Sequence, residues 1–180
     1  MPSPVIPKAS IGTVLRRFRH SRRGSAAVEF ALVAPVFFAL LFAIIEIALM
    51  FFASQVLETI TQSSARMIFT GQAQNAFYSQ SDFKTYVCGQ IPILFTCDSV
   101  YVDVRSYPAF TGVTINSQID AGGNFINDMQ YAPGGPGAIV VVRLFYQWPM
   151  LVTALGYNFT NLTGNKRLLA ATAAFRNEPF

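Results

Sequence analysis

The first residue in this chain with the means to do chemistry is a carboxylate placed where carboxylates are costly. Glu29 follows Arg22-Arg23-Gly24-Ser25-Ala26-Ala27-Val28 and opens directly onto the apolar run Phe30 to Ile45. A charge deep in a bilayer costs roughly 2.5–3.5 kcal/mol on insertion scales, and less near an interface. Glu29 therefore either marks a partner or rests at headgroup level beside Arg22 and Arg23. A second carboxylate, Glu46, interrupts the apolar sequence before it resumes from Ile47 to Ala53. It stands about 25 Å beyond Glu29 along a helix. That places it near the opposite interface, either reaching for water or touching a partner helix.

Other reactive groups are sparse. Cys88 and Cys97 are the only cysteines, and the sole histidine is His20. An even cysteine count on the exported side of a membrane predicts one disulfide, which for so short a loop contributes about 2.5–3 kcal/mol. A two-cysteine metal site is the alternative, but no further ligands stand nearby, so no metal or other cofactor is expected. Asp98, Asp103, Asp120 and Asp128 are scattered through strand and loop and read as solvated. Pro133-Gly134-Gly135-Pro136-Gly137 has no following Lys-Ser/Thr pair, so it does not read as a phosphate loop. The triplets Asn158-Phe159-Thr160 and Asn161-Leu162-Thr163 fit the glycosylation pattern, which arises often by chance. With no nucleophile, base or metal cluster in view, the sequence does not read as an enzyme.

The elements that carry these residues begin with an anchor. Composition is 52% hydrophobic and 12% charged, against roughly 25% charged in an average soluble domain. The stretch from about Phe30 to Ala53 is long enough to cross a hydrocarbon core. Lys8, Arg16, Arg17, Arg19, Arg22 and Arg23 all precede it, and only Arg66 lies within 20 residues after it. The positive-inside rule keeps the N-terminus cytoplasmic and exports everything after Ala53. A cleaved secretory signal would be shorter and would end in a small-residue site. The six leader cations also account for the basic pI: the remaining seven face all nine acids, a balance of −2. A nucleic-acid binder should instead spread its cations over the folded domain, so no nucleic-acid partner is expected.

Helical periodicity continues past the membrane. Leu49, Ala53, Val56, Leu57, Ile60, Ser64, Met67 and Ile68 recur at three- and four-residue steps, with polar residues on the other face. Gly71 reads as the stop. The stripe predicts packing on the chain's own C-terminal domain, on neighbouring subunits, or on both. Strands are expected at Val100–Arg105, Ala138–Trp148 and Leu168–Arg176, and a short helix at Asp82–Cys88. The whole predicts an α+β fold: residues 1–24 a basic leader, 25–71 a transmembrane and amphipathic helix, and 72–180 an exported domain with a three-stranded antiparallel sheet.

The string Gly24-Ser25-Ala26-Ala27-Val28-Glu29-Phe30-Ala31-Leu32-Val33-Ala34-Pro35 resembles the prepilin-type start of the TadE-like pseudopilins, minor components of the tight-adherence (Flp pilus) secretion machinery. The likeness is close from Arg22 to about Gly71, including Ile44-Ile45-Glu46, and looser over Ala138–Trp148 and Leu168–Phe180. Length separates the chain from the much shorter major Flp pilin and from the larger TadG-like proteins. Ser25 departs from ordinary type IV prepilins, which favour Phe immediately after the cut.

The resemblance implies a structural minor pseudopilin of a bacterial inner membrane, with a pilin-like periplasmic domain and a place in pilus biogenesis and adherence. A prepilin peptidase would cut between Gly24 and Ser25. The partners implied are that peptidase, other pilus subunits, inner-membrane assembly platform proteins and the lipid bilayer. Cleavage would create an ammonium at Ser25 one helical turn from Glu29 and on the same face. The carboxylate could then pair with its own amine or a neighbour's, while Phe30, Leu32, Val36, Phe37 and Leu40 pack laterally. The rival expectation is an unprocessed, single-pass periplasmic scaffold with no pilus role.

Overall fold

A computed structural model describes residues 12, 24–91, 93–151 and 159–180. The leader cations, His20, the Ser25 side chain and Asn158 of the first triplet lie outside the described residues. Two compact units divide the chain, Met1–Ala43 and Ile44–Phe180. The expected α+β architecture is present: a long apolar N-terminal helix and a small domain with a three-stranded antiparallel sheet.

Helix α1 spans Ser25–Phe69 without interruption, Pro35 included. Its 45 residues correspond to about 67 Å, roughly twice the thickness of a hydrocarbon core. It is one helix long and apolar enough to cross a membrane. In the first unit the large side chains of this helix are exposed, among them Phe30, Leu32, Val33, Val36 and Phe37.

From Met50 onward α1 belongs to the core of the second unit. Met50, Ala53, Leu57, Ile60, Thr61, Ser64, Ala65 and Ile68 are buried. The sequence stripe is thus packed on the chain's own domain, with one correction. Leu49 is exposed, and Met50 takes its place, because the buried face is set by where the sheet lies. Small residues let other chain segments approach. Thr61 turns its hydroxyl back to the Leu57 carbonyl at 2.8 Å, and Ser64 accepts from the Gln90 amide at 3.2 Å.

The sheet order is β1 (Val100–Tyr107), β2 (Ile139–Pro149) and β3 (Lys166–Arg176), all antiparallel. Val102 pairs with Leu144, which pairs with Ala171; Val104 pairs with Val142, which pairs with Ala173. With a side-chain period of two, these residues share one face and join the α1 stripe in the core. Each Val or Leu buried this way stabilises by about 1.5–3 kcal/mol.

Two short helices follow α1. Helix α2 is Gln72–Asn75 and α3 is Gln80–Gly89. A reciprocal capping box opens α3: Ser79 accepts from the Asp82 amide, and the Asp82 carboxylate accepts from the Ser79 amide. The hydrogen bonds from Ser79 hold the exposed Asp82 carboxyl below its usual range. Phe83 and Val87 of α3 insert into the core. Cys88 at its last turn is joined to Cys97, with 5.5 Å between their Cα atoms. That bond ties α3 to the turn that starts β1.

The C-terminus fastens the far end of α1. Glu178 donates its amide to the Phe69 carbonyl at 3.0 Å, and Phe175 meets Phe69 edge-on. Buried Asn177 donates its side-chain amide to the carbonyls of Pro133 and Gly135, and Gln74 donates to those of Pro133 and Gly134. The Pro-Gly run is therefore a hydrogen-bonded clasp between α2 and the C-terminal tail. Gly71 has φ +75, and a Cβ there would fall inside the Phe180 ring. Both the backbone and the space call for glycine. Gly71→Ala should lower the thermal midpoint of the detergent-extracted protein by several degrees. Adding Phe180→Ala should recover only the steric share, leaving the cost of positive φ. Equal midpoints for wild type and Gly71→Ala would show that this contact does not hold the helix end.

Candidate processing and assembly segment

Gly24 and Glu29, the residues with the sharpest sequence signal, flank the start of α1. The helix begins at Ser25, so Gly24 is the last residue before it. Gly24 is exposed, and among the described residues no atom beyond its chain neighbours lies within 4 Å of where a Cβ would stand. The Gly24–Ser25 bond therefore lies at an uncrowded junction. Glu29 and Phe30 lie in the first two turns and are both exposed. Ser25 and Glu29 are four residues apart, one turn on the same face.

Exposed apolar side chains surround Glu29. Phe30, Leu32, Val36, Phe37 and Leu40, the set expected to pack laterally, are all more than half exposed. Apolar side chains exposed in this way can exchange lipid for neighbouring helices at little cost, since lipid tails and apolar side chains are alike as solvents.

Glu46 meets a partner within its own chain. It is half-buried, and its carboxylate accepts a hydrogen bond from the Leu151 backbone amide, just past the end of β2. The partner is intramolecular and lies in the same compact unit. Sequence reading missed it because residues 105 positions apart meet only once the register of β2 is known.

Asp103 corrects another expectation. It was read as solvated because its neighbours in β1 alternate, but it is fully buried on the sheet face opposite the helix. Arg143, its direct cross-strand partner, donates to it through Nε at 2.9 Å and Nη2 at 2.7 Å. Arg105 adds Nε at 3.1 Å, and the Gln130 amide donates at 2.9 Å. The segment between β1 and β2 covers this face. Phe125 stacks on Tyr101 with centroids 4.6 Å apart, Asn116 accepts from Arg143, and Asp128 accepts from Arg105. Burial disfavours the Arg105 cation, but hydrogen bonds and the fields of Asp103 and Asp128 outweigh that, so its pKa is raised. Asp120 does remain at the surface, where Asn124 and Gly122 amides hold its carboxyl below the usual range.

Residues 24–66 match the family model described as TadE-like protein. Over its N-terminal helix this chain is similar to the TadE-like family. The match supports the TadE-like family of the tight-adherence system, as the Gly24–Pro35 string suggested. It starts at the glycine before α1 and ends three residues short of the helix terminus. No curated protein and no solved structure matches the chain. The family likeness thus rests on the helix, and the sheet domain is described here on its own geometry.

The buried ion network makes a quantitative expectation. Removing the Asp103 charge leaves Arg143 buried without its main acceptor, a change that typically costs about 3–5 kcal/mol. Asp103→Leu should shift the urea midpoint sharply down. Asp103→Leu combined with Arg143→Met should recover much of the loss. A double variant no more stable than the single one would rule out charge isolation as the cause.

Proposed function

We propose that the protein is a structural minor pseudopilin of a tight-adherence pilus assembly and secretion machine. Helix α1 anchors it in the bacterial inner membrane with the N-terminus cytoplasmic and the sheet domain periplasmic. A prepilin peptidase removes the leader by cutting between Gly24 and Ser25. The observation that carries this reading is the meeting of three boundaries within three consecutive residues. The family match starts at Gly24, the helix starts at Ser25, and the basic leader of the sequence ends at Arg23.

Its role is assembly rather than catalysis. Cleavage frees an ammonium at Ser25, and Glu29 one turn on meets it or the ammonium of an adjacent subunit. In a poorly hydrated setting such a pair is strong, provided that both members are present. Phe30 and its exposed apolar neighbours then pack against other pilus subunits or the assembly platform.

Processing is tested at Gly24. The open space around it accepts a larger side chain, so Gly24→Val leaves folding and insertion intact and acts only on the peptidase. The intact mass of the membrane form should match a chain that begins at Ser25 in the wild type and one that retains the leader in the variant. A wild-type membrane form still carrying residues before Gly24 would leave an unprocessed scaffold as the better description.

Pairing is tested at Glu29. Glu29→Gln keeps size and hydrogen-bonding capacity but cannot neutralise the new ammonium. The variant should insert and be cleaved, yet lose crosslinking to the other pilus subunits by tenfold or more. Glu46→Gln should be milder, because the amide oxygen still accepts from Leu151. Undiminished crosslinking of a processed Glu29→Gln protein would exclude the pairing mechanism.

A further inference from the structure

The end of β2 sits in an unusual place. Leu151 is 86% exposed, while Met150 beside it is buried and its own amide is bound to Glu46. Glu46 lies inside the apolar run of α1, since Ile47 to Ala53 still follow it, about 10 Å of helix. Ile44, Ile45, Leu49, Phe51 and Phe52 of the same helix are exposed around that level. The face that carries Met50 and Ala53 is turned into the domain instead. No charged residue stands between Arg143 and Lys166, and the chain's single tryptophan, Trp148, closes β2 just before Leu151. Tryptophan is a preferred residue at the membrane–water interface.

We propose that Leu151, just past β2, is a second membrane contact, where Glu46 holds the chain against α1 and the Leu151 side chain enters the outer edge of the lipid. This inference rests on the reading that α1 spans a bilayer. Its physical basis is mutual satisfaction. A backbone N–H carried to membrane depth must find an acceptor within the protein, and a carboxylate in an apolar helix must find a donor. Glu46 and the Leu151 amide supply each other. The exposed apolar collar of α1 continues onto Leu151, so the occupant that fits is the lipid already surrounding the helix. The domain would then be fixed to the membrane surface at two points rather than swinging on one helix.

The test uses the full chain in phosphatidylcholine–phosphatidylglycerol vesicles, with a single tryptophan moved to the point in question. Trp148→Phe with Leu151→Trp reports on position 151. Trp148→Phe with Phe77→Trp is the control, since Phe77 is exposed beyond the far end of α1, about 35 Å of helix from Glu46. Acyl-chain-brominated lipid should quench the tryptophan at 151 several-fold more than that at 77, with blue-shifted emission. Adding Glu46→Leu should bring the quenching at 151 down toward the control, whereas Glu46→Gln should preserve it. Equal quenching at 151 and 77 would overturn the inference. So would a blue-shifted but unquenched tryptophan at 151, which would mean that protein covers it. Alkaline extraction of the same vesicles separates the two readings. Release of the chain would overturn the anchor and this inference together, while a retained chain with an unquenched tryptophan at 151 would overturn this inference alone.

Discussion

One helix has to be soluble in two ways, and the rest of the structure follows from that constraint. The early turns of α1 expose apolar side chains all round, which suits lipid or other helices and nothing else. From Met50 the same helix buries only one stripe and carries Gln55, Glu58, Thr59 and Gln62 on its other side. Gln62 donates to Glu58 one turn back, a pairing that stabilises an exposed helix face. The sheet exists to cover the stripe: Val102, Val104, Val142, Leu144, Ala171 and Ala173 form a flat apolar face. Alanines on β3 let that edge of the sheet come close to its neighbours. Because the cover begins at Met50, the folded domain starts inside the apolar run rather than after it.

That overlap explains why the helix ends are secured so differently. At the far end, the Phe69 carbonyl is satisfied by the Glu178 amide, and Phe180 lies on Gly71. The last carbonyls of a helix need donors from outside it, and here the C-terminal tail provides one. Near the other limit of the domain, Glu46 takes the amide after β2. The sheet is thus held to α1 at both ends of their contact. Between them, the disulfide from Cys88 to Cys97 fixes α3 to the start of β1, so little of the covering layer can shift independently.

Much of this was legible in the sequence, and what was not has a common cause. The helix, its stop at Gly71, the three strands, the short helix at α3 and the paired cysteines are local signals: periodicity, turn chemistry and count. They needed no knowledge of register. Asp103 could not be read in the same way. An alternating strand with an acid on its polar face normally means a solvated acid, and only the segment between β1 and β2 overturns that. The segment has little periodic pattern of its own; it lies down because Phe125 finds Tyr101 and Phe145, and because Asp103 accepts from Gln130. Leu49 against Met50 is a smaller case, a one-residue rotation of a stripe that only the position of the sheet decides. The clasp of Gln74 and Asn177 on Pro133–Gly135 joins segments about sixty and forty residues apart, beyond any local signal.

The two membrane carboxylates show why residue type alone could not assign their roles. Both stand in apolar helix, where residue type alone fits either water or a partner. Glu46 is bonded to its own chain because a strand end arrives at its level, and that strand arrives because the stripe above it is buried. Glu29 lies in the other compact unit, where the large side chains of α1 are exposed. A carboxylate placed there gains most from a cation that reaches it along the membrane plane or from the helix's own N-terminus. The place of Glu46 is thus decided by tertiary register, whereas the role proposed for Glu29 rests on the sequence around Gly24 and on the cation that cleavage would create.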